Sequence, residues 1–487
     1  MTRPTLAATT IQAAARGNGW STVLLAATTL QSSVSQYGIT WTFDQPYPVG
    51  SYANGDPFVV GPVSITSITP ESQVVTDNED GTDRVVNGTM LNPQGSVNGF
   101  DSQSVFDLKF YPSYDDSLNQ HPSRTGSPIS TSEASIVSCI SRQSSSYGGS
   151  DRGRISSYGV LTVIQREPRD GAFRPDPYGN GSKESEWNEN DIDYTLLRNL
   201  SQVGSDVPDL NQITDKISHL WYEATSLNGG LTTAQVFRAH DYQPSYGRDI
   251  GKVSADALLS AHLDYTKEQK RPLVAAIVQQ GLDVYKQQTR GAEWTNNGGH
   301  YGGQKDRMVF AAMLLNDDNI KAACDAGNTF VHGNEQQIFY VSQADVDRQS
   351  CNDNDPSSTS GNPCGTSGST LYENGDIGLP EWGRNHYTSP CTYDCRSWGS
   401  SYRWIGSSYA GNALAVRLIP GAKDVWNWDA YFDYEDRYSE AEINGDSNQV
   451  GGTGTRGVGT GKNQIPQFVA DMYTNYRSLA DTIWSDN

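Results

Sequence analysis

The hydrophobic pattern changes its period along this chain, and that change most constrains the fold. From residue 37 onward, apolar and polar side chains alternate, as in residues 39–43, which is typical of strands with one buried face. Beyond residue 195, apolar side chains recur three or four positions apart; Leu273, Ile277 and Val284 fall roughly on one helix face. The pattern predicts an α+β multidomain protein, with an N-terminal antiparallel β domain followed by a helical domain.

The change of period divides the chain of 487 residues into four predicted parts. They are an N-terminal segment 1–36, a sandwich-like or jelly-roll-like β domain 37–175, a linker 176–194, and a helical domain 195–487. Further strands are predicted at 58–66, 105–110 and 159–164, and helices at 191–200, 210–224, 255–264, 308–315, 408–418 and 466–483. Thr266 and Gln269 form a capping-box pattern that starts another helix. Helices joined by long loops suggest an α/α toroid whose loops line a groove at one end.

The charge balance limits the partners of the protein. The net charge is −21, which argues against a nucleic-acid partner because phosphate binding needs a basic surface. A local basic cleft can still form on an acidic protein, and Lys305, Arg307, Arg384 and Arg403 are the candidates. No stretch approaches the ~18–20 apolar residues of a membrane helix. We therefore predict no nucleic acid and no membrane span.

Cysteine usage predicts an oxidising compartment. Cys351 and Cys364 bracket a loop rich in Asp, Ser, Gly and Pro, and Cys391 and Cys395 bracket three residues. We predict these two pairs as disulfides, since an even number of loop cysteines is typical of secreted proteins. An extracellular or surface-associated location follows, a virion surface included, and the acidic, Ser/Gly-rich chain permits a homo-oligomer or surface assembly. No metal or cofactor motif is predicted.

One Gly-rich segment carries an unusual density of reactive side chains. Fourteen residues from Trp294 to Arg307 include four glycines together with Asn297, His300, Tyr301 and Lys305. Because glycine weakens helix and strand alike, this segment is predicted as a loop between two helices. A loop that presents a base, an acid and cations from a rigid scaffold is a candidate catalytic site. The alternative interpretation is a polar turn that caps helices.

Two later segments offer similar chemistry. The first holds Glu381, Trp382, Arg384 and His386, and the second holds Tyr402 and Arg403 and leads to Tyr409. Aromatic side chains suit sugar binding, because the apolar face of a sugar ring stacks on Trp or Tyr while polar groups bind its hydroxyls. The sequence therefore predicts a polysaccharide as the partner.

β-Elimination from a uronic-acid polymer uses this set of side chains. We predict that Asn297 and Arg403 hold the sugar carboxylate, which stabilises the negative charge that develops on it. His300 would act as the base, and Tyr402 or Tyr301 would return a proton to the leaving oxygen. His386 is a further candidate for acid–base work, while Trp294, Trp382 and Tyr409 would contact neighbouring sugars.

Two other functions remain open from the sequence. Asp429, Asp433 and Asp436 would share a helix face, and Glu381 as acid with one of them as base would make an inverting glycoside hydrolase. We favour a packing role for this helix, with Arg437 pairing Asp433 one turn away. The third possibility is a non-enzymatic glycan-binding or structural component of a virion or surface appendage.

The same motifs carry a resemblance to known proteins. The segments 297–300, 380–386 and 426–434 are similar to parts of large uncharacterised secreted bacterial proteins, and so is the region 41–62. The chain also resembles, loosely, the helical-toroid polysaccharide lyases, in which Asn, His, Tyr and Arg share a groove. This resemblance implies lyase activity on a polysaccharide. In those lyases the toroid usually precedes the β domain, whereas here the β domain comes first.

Overall fold

The computed structural model describes residues 24–76, 83–94, 97–102, 114–142, 155–219, 247–294, 303–327, 331–332, 336, 338–347, 374–382, 406, 408–444 and 465–482. A sheet comes first in the chain and helices follow, so the fold is α+β. The strands are β1 Thr29–Gln36, β2 Ile39–Ser51, β3 Pro57–Val60, β4 Val63–Thr69, β5 Gln73–Thr76, β6 Asp83–Val86, β7 Thr89–Leu91, β8 Ile129–Thr131, β9 Ala134–Ser141, β10 Ile155–Ile164, β11 Ile338–Tyr340 and β12 Pro380–Trp382. The helices are α1 Pro122–Thr125, α2 Leu210–Ser218, α3 Gly247–Ala261, α4 Lys267–Thr289, α5 Lys305–Leu314, α6 Asp318–Cys324, α7 Gln343–Asp347, α8 Ala410–Arg417, α9 Ala422–Trp426, α10 Asp429–Asn444 and α11 Gln467–Tyr476. None of the helices in these ranges has the length and apolar composition that a membrane crossing needs.

One eight-stranded sheet dominates the N-terminal region. Its order is β7-β9-β10-β3-β2-β4-β8, with β1 added along β2. All its neighbouring strands are antiparallel except β10 and β3, which run parallel. The parallel pair was not predicted from the sequence. One edge of β10 pairs antiparallel with β9, and its other edge lies beside the earlier strand β3, which runs in the same direction. A sandwich or jelly roll would need a second large sheet, and the other sheets in the described residues have two strands each. The strand predicted at 105–110 lies outside those residues.

The first hairpin joins the sheet to the helices. Tyr37 and Gly38 form its two-residue turn, and both have positive φ angles (49° and 83°), as a type I′ turn requires. The alternation predicted for β2 is confirmed: Ile39, Trp41 and Phe43 are buried while the threonines between them are half-buried. The Tyr37 ring stacks on His219 with centroids 3.6 Å apart. The tip of the hairpin therefore packs against the end of α2.

Four helices, α2, α3, α5 and α6, pack against α4, which is buried along most of its length. The predicted capping box starts this helix: the Thr266 amide donates to Gln269 Oε1 at 2.8 Å, and the Gln269 amide donates to Thr266 Oγ1 at 3.3 Å. At Gly281 the backbone of α5 approaches so closely that a Cβ atom would lie 2.2 Å from the Arg307 carbonyl oxygen. Glycine at this position therefore allows α4 and α5 to cross in contact.

One predicted helix is wrong. Residues 191–200 form no α-helix; the chain makes two 3₁₀ turns there, Glu189–Asp191 and Tyr194–Leu196. The Asn188 side chain accepts from the Asn190 amide, and the Asp193 side chain accepts from the Thr195 amide. Such local bonds compete with helix formation, so these polar residues close turns instead.

A buried ion network ties the sheet to α4. Arg174 Nε lies 2.5 Å from Asp56 of the sheet region, and Arg174 Nη2 lies 2.6 Å from Asp283 on α4. Gln36 donates to Asp56 at 2.6 Å, and Gln279 accepts from the Arg174 amide at 2.9 Å. Burial raises the pKa of Asp283 to about 6, and the positive charge of Arg174 acts in the opposite direction. This Asp56–Arg174–Asp283 network crosses the boundary between the two regions.

A buried histidine predicts how stability responds to acid. His262 Nδ1 accepts from the Arg198 amide at 3.0 Å, and its Nε2 donates to the Ala415 carbonyl at 3.1 Å. Burial lowers the pKa of His262 to about 3. The unfolded chain, with an ordinary histidine pKa of about 6.5, takes up a proton first. The stability that neutral His262 contributes is thus present above pH about 6.5 and is lost as the pH falls towards 3.

We expect a comparison with His262→Gln to show this effect. Below pH about 6.5, the unfolding free energy of the wild type should fall relative to the variant by up to about 1.4 kcal/mol per pH unit. Denaturant unfolding of both proteins between neutral pH and about pH 5 measures the difference. Parallel pH curves for the two proteins would show that His262 does not titrate in this way.

Candidate functional site

The structure describes the two ends of the Gly-rich segment. Asn297, His300 and Tyr301 lie outside the described residues, and so do the other predicted site residues Arg384, His386, Tyr402 and Arg403. The predicted disulfide cysteines Cys351, Cys364, Cys391 and Cys395 lie outside them as well. Within the described residues, Cys139 and Cys324 are free, buried thiols. The site is therefore built from Trp294 on one side and the first turn of α5 on the other.

Trp294 fixes the first end of the segment. Its amide donates to the Val331 carbonyl at 2.7 Å. Its ring lies parallel to the His332 ring, with centroids 5.0 Å apart and an interplanar angle of 3°. Only 2% of Trp294 is exposed, so its ring offers no open face to a sugar in this arrangement. Direct contact with substrate would require the ring to become exposed.

His332 was not predicted from the sequence, and its hydrogen bonds define its tautomer. Gln288 donates its Nε2 to the Ala323 carbonyl at 2.8 Å, which turns Gln288 Oε1 towards His332 Nε2 at 3.3 Å. Since Oε1 can only accept, Nε2 of His332 carries the hydrogen. Nδ1 therefore holds the lone pair, and among the described residues it has no hydrogen-bond partner.

The first turn of α5 fixes the second end of the segment. Lys305, Asp306 and Arg307 follow one another and are each at most 1% exposed. Lys305 Nζ donates to the Trp426 carbonyl at 3.1 Å and lies 4.8 Å from the centre of that indole ring. The indole in turn stacks on Tyr431 with centroids 4.7 Å apart. The lysine is thus held by an aromatic stack inside the helical core.

Asp306 and Arg307 join three helices. Asp306 accepts from Ser254 of α3 at 2.6 Å and also from Asn412 of α8. Arg307 donates to Gln280 of α4 at 3.1 Å and to the Gly303 carbonyl at 3.0 Å. These bonds lock the start of α5 against its neighbours.

Gly303, the last glycine of the segment, has a backbone conformation that favours glycine. Its φ angle is +77°, and a Cβ atom there would lie 2.9 Å from the Cα atom of Gly251 on α3. A side chain at this position would be strained and crowded. The chain can therefore enter α5 closely against α3.

Burial and neighbouring charges shift the pKa values of His332 and Asp306, which lie at the two ends of this segment. Burial, reinforced by the positive charges of Lys305 and Arg307, holds the pKa of His332 well below its ordinary value. Burial also raises the pKa of Asp306, while Arg307, Ser254 and Asn412 act in the opposite direction. His332 is accordingly a neutral imidazole at neutral pH.

Tyr409 lies in the same helical core. It is fully buried beside α3, where a Cβ atom on Gly251 would come within 3.0 Å of its ring. Its carbonyl accepts from the Tyr431 hydroxyl at 3.5 Å. Tyr409 and the first turn of α5 therefore belong to one buried frame, and contact of Tyr409, Lys305 or Arg307 with a substrate would require their exposure.

The second predicted segment enters a different part of the structure. Glu381 and Trp382 belong to β12, which pairs with β11. Glu381 is buried and forms an ion pair with Arg437 of α10 at 2.8 Å. The predicted pairing of Arg437 with Asp433 is therefore wrong: the two-stranded sheet β11–β12 packs against α10 and brings Glu381 within reach of this arginine.

The aspartates of α10 are engaged by cations from other elements: Asp429 pairs with Lys423 of α9 at 3.0 Å, and Asp433 and Asp436 pair with arginines. Asp436 forms ion pairs with Arg417 of α8 and with Arg477. Asp433 lies 3.4 Å from Arg417 and accepts from the Tyr340 hydroxyl at 2.5 Å. This face of α10 links three parts of the chain, in agreement with a packing role. Across the described residues, no group of three His, Cys, Asp or Glu side chains could hold a metal ion.

Gln280, which supports the second end of the segment, belongs to a pattern that is visible in the sequence. Gln280, Asp283 and Gln287 are spaced by three and four positions on α4, amid apolar residues, and all three are buried. Polar side chains on the buried face of an apolar helix need partners. Here Gln280 binds Arg307 and Asp283 binds Arg174, while the side chain of Gln287 has no hydrogen-bond partner among the described residues. His332 has no such spacing signal, since its contacts depend on the tertiary fold.

The chain matches no known family model, no curated protein and no solved structure.

Proposed function

We propose that the protein is a polysaccharide lyase that cleaves a uronic-acid-containing polymer by β-elimination. In this proposal the helices form a toroid-like domain, and the Gly-rich segment with residues 384–403 lines its groove. One observation carries the proposal: the segment with Asn297, His300 and Tyr301 begins and ends at buried side chains that neighbouring elements hold in place. Fixed ends limit where the reactive groups between them can lie, and catalysis needs that restriction.

Charge supports the same substrate class. A polyuronate is repelled by a chain of net charge −21 unless cations act locally. The first turn of α5 provides two cations, Lys305 and Arg307, around the single carboxylate of Asp306. Their burial reduces screening by salt. They favour a carboxylate near the end of the segment, and Asn297 and Arg403 would contact it.

The reaction is a balanced elimination. His300 removes the proton from C5 of the uronic acid, while Asn297 and Arg403 stabilise the charge on its carboxylate. The C4–O bond breaks and a double bond forms between C4 and C5. Tyr402 or Tyr301 gives a proton to the departing oxygen. The reaction consumes no water and needs no oxidant.

The assay follows from the product. We expect incubation with uronic-acid polymers to give near-ultraviolet absorbance, because the new double bond is conjugated with the carboxylate. The matched control is the same polymer with its carboxyl groups reduced to alcohols, which should give no absorbance. Reducing ends released without absorbance would instead support the Glu381 hydrolase. Absence of turnover on every polymer tested would favour the non-enzymatic, structural function.

A further inference from the structure

Strand β1 is an open edge of the large sheet. Within the described residues it pairs only with β2. Thr29, Leu30, Ser32 and Ser35 are exposed, and Leu30 is 72% exposed. An edge strand with unpaired backbone groups is a template for another strand unless charges, prolines or a covering segment block it.

The hairpin geometry shows which backbone groups face outward. Gln36 and Ile39 flank the two-residue turn, so this pair exchanges both backbone hydrogen bonds. Alternation then makes Ser35 and Thr40 a non-hydrogen-bonded pair, consistent with the 2.7 Å contact between their hydroxyls. The N–H and C=O groups of Ser35 therefore point away from β2. By the same alternation, so do those of Ser33.

Charge sets this edge apart from the rest of the chain. No Asp, Glu, Lys or Arg occurs from residue 17 to residue 43, although charged residues make up 19% of the whole sequence. On a protein of net charge −21, most surfaces repel a second copy. The β1 edge is an exception, because two copies brought together there place no like charges opposite each other. The bulge between Gln31 and Ser33 leaves the regular stretch from Ser33 to Gln36 for pairing.

We infer that the protein forms a twofold dimer in which β1 pairs antiparallel with β1 of a second copy. Antiparallel pairing of identical strands is self-complementary, so the contact closes after two copies. The outward N–H and C=O groups of Ser33 and Ser35 supply the hydrogen bonds. Leu30 adds apolar area at the end of the contact. This inference does not depend on the proposed enzymatic function.

Variants of Ser35 test the contact. Ser35→Pro removes an N–H that faces outward, so the hairpin keeps its own hydrogen bonds while the edge loses a donor. Ser35→Lys places a charge in the contact, and Ser67→Lys, on an exposed position of β4, is its matched control. Sedimentation equilibrium at high micromolar concentration should give a dimer for the wild type and Ser67→Lys. Both Ser35 variants should show a twofold lower mass.

The folding of the variants and their masses in solution decide whether β1 forms the dimer contact. Circular dichroism checks that each variant is folded, and if Ser35→Pro is not, the Ser35→Lys and Ser67→Lys pair decides alone. A monomeric wild type at high micromolar concentration overturns the inference, and so does a dimer that persists in folded Ser35→Lys. A larger assembly overturns the closed twofold contact. Hydrogen exchange at the Ser35 amide that is slow in the wild type but fast in folded Ser35→Lys would support the dimer contact.

Discussion

We expect His300→Ala to lower turnover of a uronic-acid polymer by about 10²–10⁴-fold, the usual contribution of a general base. The C5 proton is weakly acidic, so elimination slows when no group is positioned to remove it. Initial rates of near-ultraviolet absorbance measure the change. Added imidazole should restore part of the rate by replacing the missing ring.

Two controls separate catalysis from stability. Lys321→Ala changes a surface ion pair with Asp318 on α6 and should leave turnover unchanged. The thermal unfolding midpoint of His300→Ala should match that of the wild type. Unchanged turnover in His300→Ala would remove this residue as the base. A large drop in its midpoint would show that His300 supports the fold instead.

The second large effect is expected at the Asp56–Arg174–Asp283 network. Arg174→Met should lower the free energy of unfolding by about 3–5 kcal/mol, because removing one partner leaves buried charge without compensation. Both carboxylates that face this arginine are at most 7% exposed. Denaturant unfolding measures the loss.

The matched control is an arginine in an exposed pair. Arg124 pairs with Asp116, whose side chain is 53% exposed, so Arg124→Met should cost only about 0–1 kcal/mol. The double variant Arg174→Met with Asp283→Leu should recover part of the loss, since it removes one stranded carboxylate. Equal losses for Arg174→Met and Arg124→Met would contradict the assignment of a strong buried network.

Periodicity and capping predicted the elements that local interactions decide. The alternation of Ile39, Trp41 and Phe43 gave β2, and the Thr266–Gln269 capping box gave the start of α4. The same patterns could not give strand order, because the parallel neighbour of β10 lies far away in sequence. They also failed at residues 191–200, where side-chain bonds from Asn188 and Asp193 override a helix-like pattern.

The site was only partly predictable for a related reason. Residue types identified Lys305, Arg307 and Glu381, but a sequence pattern does not show whether a charged side chain reaches solvent. In the structure each is buried and held by other elements: Lys305 by an indole stack, Arg307 by α4, and Glu381 by Arg437. Such contacts join residues far apart in the chain, and no local rule predicts them.

Residues 172–174 limit where the protein can be cut into fragments that fold separately. Ala172 packs in a cluster with Tyr52 and Phe58 of the sheet region, whereas the next residue, Phe173, belongs to the hydrophobic core of the helices. The chain thus passes from one core to the other across a single peptide bond. A fragment that starts at residue 195 would lose Phe173 from its core and the partner of Asp283. We therefore expect exposed turns, such as the one around Gly126, to tolerate domain insertion or circular permutation better than this boundary does.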